Sequence, residues 1–500
     1  MKATIPGRGS RRRVAVAGAS IAGIILLGVA GRLLAGSGAG WEPAPYTADP
    51  LADDPPEIAA ASGSRPEAGP YDVRREETSV PVRGDDLDAT VFAPDAPGEF
   101  PAVAFVHGAG GGGRESFFGL AERFARAGIV AVAYDKRSDY SYLFNRDFGQ
   151  LAEDAVAVVR VMRERPDVDA DRAGLWGLSE GGRVVPLAAA GAPEVGFVVT
   201  VGGAVRGPLR NTAWSVAEGL AEAGAPSGAA RLAVRVLGGG TMFTLHLDPP
   251  QNVWTDVGQP ALVVYGTEDF LVPPAESARG IVDDLERGGN TSYAVRFFGG
   301  AGHALRLGGD YAPGYLRTIT DWITGLPGSA ADGPRVAGSL PEQRFATTPI
   351  LRTPWYGGTA ALVITVAAAL AGTAVVPRLL RRRLGTPEVR WYGVVRPVRR
   401  AARASVLAFA ALWAFVGLLI GLGYTRNGVG WLFQAGWGAV RIGAVAAVVA
   451  AAVAAVSVGT ARRRGWRPTP AQAGTLCSYA GVAVLMLLNV AYWGVFEPTW

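Results

Sequence analysis

Five stretches of this chain, residues 14–31, 356–376, 404–424, 439–458 and 473–496, are apolar and hold between them one charged residue, Arg441. At about 1.5 Å of rise per residue, a helix of roughly 20 such residues crosses the hydrocarbon of a bilayer. In lipid every backbone N–H and C=O needs a partner within the segment, so helix is the form these stretches take. They divide the chain: one apolar segment at the start, four at the end, and about 300 residues of different character between.

Arginines mark the ends of the apolar runs. Arg11, Arg12 and Arg13 precede the first; Arg378, Arg381, Arg382 and Arg383 follow the second. Arg396, Arg399, Arg400 and Arg403 precede the third, and Arg462, Arg463, Arg464 and Arg467 follow the fourth, whereas the loop 425–438 holds only Arg426. Positive charge stays on the cytoplasmic side, so this pattern puts the clusters inside and residues 41–350 outside the cell membrane. Residues 1–40 read as an export signal or a signal-anchor helix. The run SRRRV at 10–14 resembles a twin-arginine signal, and the small residues at 35–39 suit cleavage. The four later spans, within 355–500, lack Asp, Glu and His, which disfavours an ion pathway. They read as a helical membrane domain; a lipid-facing or transported-substrate site is the alternative.

Residues 41–350 carry 26 basic and 41 acidic side chains, so the exposed part of the chain is acidic although the whole is +5. That excludes the basic face a nucleic-acid partner needs. The lone cysteine, Cys477, permits no internal disulfide. Only Lys2 and Lys136 among the 48 basic residues are lysines, which with the Ala, Gly and Arg richness reads as a coding bias.

Residues 41–71 and 327–354 are rich in Pro, Gly and Ala and read as linkers. Between them, apolar β-type runs at 102–106, 130–134, 174–176, 197–201, 261–265 and 293–298 alternate with helical patterns at 118–126, 151–165 and 275–286. A hairpin-like pair at 79–82 and 89–92 precedes them. Apolar strands alternating with helices predict a mostly parallel sheet covered on both faces, an α/β domain over 72–326.

One strand–helix junction carries the run GLSEGG at 177–182, a G-x-S-x-G elbow that would push the Ser179 hydroxyl out of a turn too tight for flanking side chains. Sixty-nine glycines make such a motif easy to meet by chance, so its surroundings must decide. A serine nucleophile needs a base, an acid to orient it and donors for an oxyanion. The three histidines are His107, His246 and His303, and His303 lies in a Gly-rich loop after the last strand. Asp269 follows the strand 261–265, in the Ser…Asp…His order this architecture requires, with Glu268 beside it as the fallback. The run HGAGGGG at 107–113 exposes backbone N–H groups after the strand 102–106. Ala109 there and Glu180 after the serine are the expected oxyanion donors. A phosphate loop is disfavoured because Arg114 stands where a P-loop has lysine. His107 is expected to support its loop.

Together these pieces resemble the α/β-hydrolase superfamily, and within it the bacterial esterases and serine-aminopeptidase-like hydrolases with an HG oxyanion turn, a Y-D-x-R-G segment and a GxSxGG elbow. Tyr134, Asp135 and Arg137 match that second motif, but Ser138 replaces its glycine, and the residues that follow are larger than relatives carry. The resemblance implies structural roles for Tyr134, Asp135 and Arg137, and a cap inserted at about 204–255. In that segment Trp214, Met242, Phe243, His246 and Trp254 are packing residues or the lining of an acyl pocket.

The sequence therefore predicts a membrane-anchored, extracytoplasmic serine hydrolase of carboxylic esters, working through Ser179, His303 and Asp269 without metal or organic cofactor. Its expected partners are a small acyl ester or lipid-like substrate and the membrane. A peptidase, aminopeptidase or thioesterase on the same fold is the alternative, and a non-catalytic binding protein with a retired hydrolase domain is the rival of another class.

Overall fold

The computed structural model describes residues 8–35, 44–58, 69–110, 113–141, 145–239, 252–331, 335–348, 354–381, 389–422 and 429–497. It divides into two compact units. One holds residues 43–215 and 242–347; the other holds 1–42, 216–241 and 348–500.

The first unit is an α/β sandwich. After β1 (Ala44–Pro45) come β2 (Val73–Val82), β3 (Asp85–Pro94), β4 (Phe100–Val106), α2 (Phe118–Arg126), β5 (Val130–Tyr134), α3 (Phe148–Arg163), β6 (Val168–Leu178), α4 (Gly181–Gly191) and β7 (Val198–Val201). Then follow α5 (Pro208–Glu222), which continues into the second unit, β8 (Ala261–Gly266), α7 (Pro274–Arg287), β9 (Tyr293–Phe298), the small hairpin β10 (Arg306–Leu307) and β11 (Asp310–Tyr311), α8 (Tyr315–Thr324), the single turn α9 (Gly328–Ala331), β12 (Val336–Gly338) and β13 (Phe345–Ala346). Nine strands form one sheet in the order β2-β3-β5-β4-β6-β7-β8-β9-β12. The β2–β3 and β3–β5 pairs are antiparallel and the rest parallel. An antiparallel start, a β5–β4 crossover and a parallel remainder make the α/β-hydrolase fold expected from the sequence.

Period-two alternation builds both cores. Along β8, Ala261, Val263 and Tyr265 join one cluster with residues of α3, α4 and α7, while Leu262 and Val264 join the other with residues of α2 and α8. All five are fully buried, which explains why the strand reads as an unbroken apolar run. The stretch 327–354, read as a linker, contributes more than a connection: Val336–Gly338 pairs in parallel with β9, and Phe345–Ala346 pairs with β1. Three residues of backbone pairing leave too short a pattern for the sequence to show.

The second unit is helical: α1 (Arg8–Ala35), α6 (Ser227–Gly239), α10 (Thr359–Leu370) running through a π-turn into α11 (Val376–Arg381), α12 (Val389–Leu422), α13 (Gly430–Arg463) and α14 (Pro470–Tyr492). Five helical segments among the described residues are long and apolar enough to cross a membrane, one near the N-terminus and four after residue 358. Their packing is inverted relative to a water-soluble bundle. Large side chains such as Ile21, Leu26, Ile364, Leu407 and Ile442 are exposed, while Ala408, Ala444 and Ala447 are buried beside Leu412, Phe433 and Met486.

The segment 204–255, expected as a cap, is split between the units. Trp214 belongs to the sandwich, where its indole N–H donates to the Phe345 carbonyl at 2.8 Å, and Trp254 lies in the sandwich core. Residues 216–241 belong to the helical unit, where Leu220, Ala229 and Leu232 join the core of the apolar helices. There the Arg235 guanidinium pairs with the buried Glu497 carboxylate at 2.9 Å and donates to the Tyr492 carbonyl at 3.2 Å. Met242, Phe243 and His246 lie outside the described residues.

Candidate active site

Ser179 occupies the two-residue gap between the end of β6 and the start of α4. Its φ of 57° lies in the left-handed region, a strained setting for a side-chain-bearing residue that surrounding structure must impose. The Ser179 N–H donates to the Val201 carbonyl at 2.8 Å, and the Ser179 carbonyl accepts from Gly182 N–H at 3.0 Å. The flanking glycines are sterically required. A Cβ on Gly177 would overlap the Gly181 carbonyl, one on Gly181 would overlap the Val106 carbonyl, and one on Gly182 would sit 2.6 Å from the Gly203 Cα. Helix α4 can therefore approach β4 and β7 closely only without those side chains.

Asp269 and His303 meet on the far side of β7. His303 Nδ1 lies 2.8 Å from Asp269 Oδ2, and the other carboxylate oxygen accepts from the Leu271 and Val272 N–H groups, both at 2.9 Å. The two loops are stitched by backbone bonds: Thr267 N–H to the Phe298 carbonyl, Glu268 N–H to the Ala301 carbonyl, and Gly300 N–H to the Thr267 hydroxyl. Leu305, fully buried, pins the histidine loop from below. Glu268 is exposed, so Asp269 is the carboxylate placed against the imidazole. Burial disfavours the His303 imidazolium, but the Asp269 charge and hydrogen bond outweigh it, and the pKa is raised above its ordinary value. His303 Nε2 is buried with no hydrogen-bond partner among the described residues. Gly202, which directly follows Ser179's partner Val201, lies against this ring: a Cβ there would come 2.9 Å from His303 Cε1.

The loop after β4 lies against the serine from the other direction. A Cβ on Gly108 would be 3.5 Å from Ser179 Cβ. His107 anchors the loop: its Nε2, the protonated nitrogen given a carbonyl partner, lies 2.5 Å from the Tyr134 oxygen. Its ring packs on Phe117, and burial lowers its pKa, keeping it neutral. A cavity of about 300 Å³ opens beside the loop, walled by Gly108, Phe117, Trp176, Leu178, Tyr311 and Tyr315.

Glu180 provides the N-cap position of α4, and its side chain is buried in a cluster that sequence reasoning missed. Lys136 Nζ lies 2.8 Å from Glu180 Oε1, Tyr140 Oη donates to the same oxygen at 2.7 Å, and Arg146 lies 3.3 Å from Oε2. These partners sit 34 to 44 positions away along the chain; the one available signal was Lys136 itself, one of only two lysines in a chain whose other basic residues are arginines. Arg137 and Asp154 form a separate buried pair at 3.0 Å, which ties the segment after β5 to α3. No group of three or more potential metal ligands occurs among the described residues.

Residues 87–310 match the model of the dienelactone hydrolase family. Two mouse proteins, the mitochondrial acyl-coenzyme A thioesterase 2 and acyl-coenzyme A thioesterase 1, are each 31% identical over 126 residues. That match covers 25% of this chain and only 27% and 29% of theirs. Among solved structures, a dienelactone hydrolase described as putative, from Klebsiella pneumoniae, is 20% identical, covers 50% of this chain and 98% of its own, and has a TM-score of 0.37. An esterase from Pyrobaculum calidifontis is 19% identical, covers 52% and 87%, and has a TM-score of 0.38.

Proposed function

With a hydrolase domain matching the dienelactone hydrolase family joined to apolar helices, we propose that this protein is a membrane-bound serine hydrolase of carboxylic esters. Ser179 attacks the acyl carbon, and His303 Nε2 takes the hydroxyl proton and returns it to the leaving alcohol. Asp269 holds the imidazole in the tautomer with its free nitrogen toward the serine. The Ala109 and Glu180 N–H groups face the developing oxyanion. Water then repeats the attack on the acyl-enzyme, with His303 again as base. The observation that carries this reading is the Asp269–His303 hydrogen bond, which leaves Nε2 buried and without a partner among the described residues, in a unit that also holds the strained elbow serine.

The cavity of about 300 Å³, walled by Phe117, Trp176, Tyr311 and Tyr315 with Ser116 and Arg306 also on its lining, suits an apolar acyl or aryl group. Thioesters are a second reading, favoured by the likeness to two acyl-coenzyme A thioesterases. The arginine clusters support an orientation with their loops cytoplasmic and the hydrolase unit outside. Fluorophosphonate labelling of wild type against Ser179→Ala, followed by turnover of p-nitrophenyl esters and acyl thioesters, tests the assignment. Folded wild type that resists the label, or Ser179→Ala that still takes it, rejects the nucleophile; relative kcat/KM then separates ester from thioester.

A further inference from the structure

We infer that Lys136 is a positioning residue that locks the two oxyanion donors into one rigid unit, an inference resting on the serine-hydrolase reading above. Its ammonium spans two elements. It donates to the Gly108 carbonyl at 2.6 Å and to the Glu180 carboxylate at 2.8 Å. The Gly108 C=O and the Ala109 N–H belong to the same trans peptide, in which they point in opposite directions. Holding the oxygen on one side therefore aims the N–H to the other. The second contact grips the residue whose own N–H is the other donor, so a single cation fixes both.

The lysine is itself held in place. Its ammonium lies 3.8 Å over the Tyr140 ring, and the Tyr140 hydroxyl joins the same Glu180 oxygen. Arg146 sits against the second oxygen of Glu180, and the Lys136 and Glu180 side chains are 12% and 3% exposed. A cation on the peptide oxygen also polarises the N–H across the amide, strengthening its donation to an anion. Burial pushes the Lys136 pKa down, opposed by the Glu180 charge. The ammonium's contacts are the Gly108 carbonyl, the Glu180 carboxylate and the Tyr140 ring. Lysine acts here through the peptide, which separates it from the three groups that do the chemistry.

The test uses the full-length protein in detergent, with p-nitrophenyl ester kinetics and inhibition by phenylboronic acid, whose tetrahedral adduct with serine places an oxygen where the oxyanion forms. Lys136→Met is expected to lower kcat about 10- to 100-fold with KM unchanged, and to weaken boronic-acid binding by a similar factor. Lys136→Arg, which keeps a cation within reach of both oxygens, should recover most of the loss. Folded Lys136→Met with wild-type kcat, or a defect in KM alone, overturns the inference. If that variant does not fold, Glu180→Gln, which keeps the side chain's size and loosens the lysine's anchor, should show a smaller loss in the same two measurements. Wild-type values for it overturn the inference equally. Fluorophosphonate labelling of wild type is run in parallel: failure there rejects the hydrolase reading itself, whereas labelled wild type beside fully active Lys136→Met rejects only the role of the lysine.

Discussion

His303 is the residue whose chemistry is most exposed to solution conditions. In the proposed reaction it is the general base, which works only when deprotonated, and the Asp269 carboxylate raises this imidazole's pKa above 6.5. Ester turnover should therefore fall on acidification, with a kcat/KM midpoint above 6.5 rather than at or below it. In Asp269→Asn the raising influence disappears and burial remains. The acid limb should then move to lower pH while kcat drops by about 10⁴, the effect of mis-setting the tautomer; a pH–rate profile of the variant reads both. The Arg137–Asp154 pair makes a structural prediction at the same scale. Both side chains are buried, at 7% and 4% exposure, and Asp154→Ala leaves the guanidinium only the more exposed Asp139 at 3.3 Å and the Arg83 carbonyl at 3.0 Å, so it should destabilise the sandwich by about 1–3 kcal/mol in denaturant titration. Ser179, Asp269 and His303 could be singled out in the sequence because each follows an apolar run and stands in a fixed order. Lys136, Tyr140 and Arg146 could not, because a charge's partner is set by the meeting of β4, α4 and the segment after β5, not by spacing.

The elements were legible where burial was complete on both faces. The strands at 130–134 and 293–298 and the helix at 118–126 have the expected bounds. Strand β6 is the informative departure: it begins at Val168 instead of 174, and its first half escaped notice because the half-buried Asp169 and Arg172 and the exposed Asp171 break the apolar run. Strand β12 escaped because it is a three-residue edge strand, too short for a pattern to show. Helix α4 depends on an absence of side chains. Gly181→Ala forces the helix away from the Val106 carbonyl and should cost about 1–3 kcal/mol, with loss of labelling at Ser179 as the local readout. Helix α1 makes the same kind of contact in its own unit. A Cβ on Gly31 would overlap the Ala491 carbonyl, one on Gly23 would lie 3.0 Å from Val448 Cγ1, and the Tyr356 hydroxyl donates to the Leu34 carbonyl at 2.7 Å. An N-terminal helix packed this way is expected to be retained in the mature protein: intact mass should include residues before 35, and a chain found cleaved after the small residues at 35–39 would show otherwise.

For the whole molecule, the two units share a chain that passes between them four times, at residues 42/43, 215/216, 241/242 and 347/348. A reporter fused after Arg383 should register as cytoplasmic, and an external signal there would reverse the orientation of both units. The interleaving also has a consequence for how the protein is made. Arg235, on the helix that belongs with the apolar bundle, reaches Glu497, 262 positions further along the chain. At about 5–20 residues per second of synthesis, its carboxylate partner emerges roughly 10–50 seconds later. The sandwich, residues 43–215 and 242–347, can close during that interval, while Leu220, Ala229 and Leu232 still wait for α12, α13 and α14. Translation order thus leaves residues 216–241 without their packing partners until α12, α13 and α14 have been made, so shielding of this segment by a chaperone or the membrane surface is expected to govern yield.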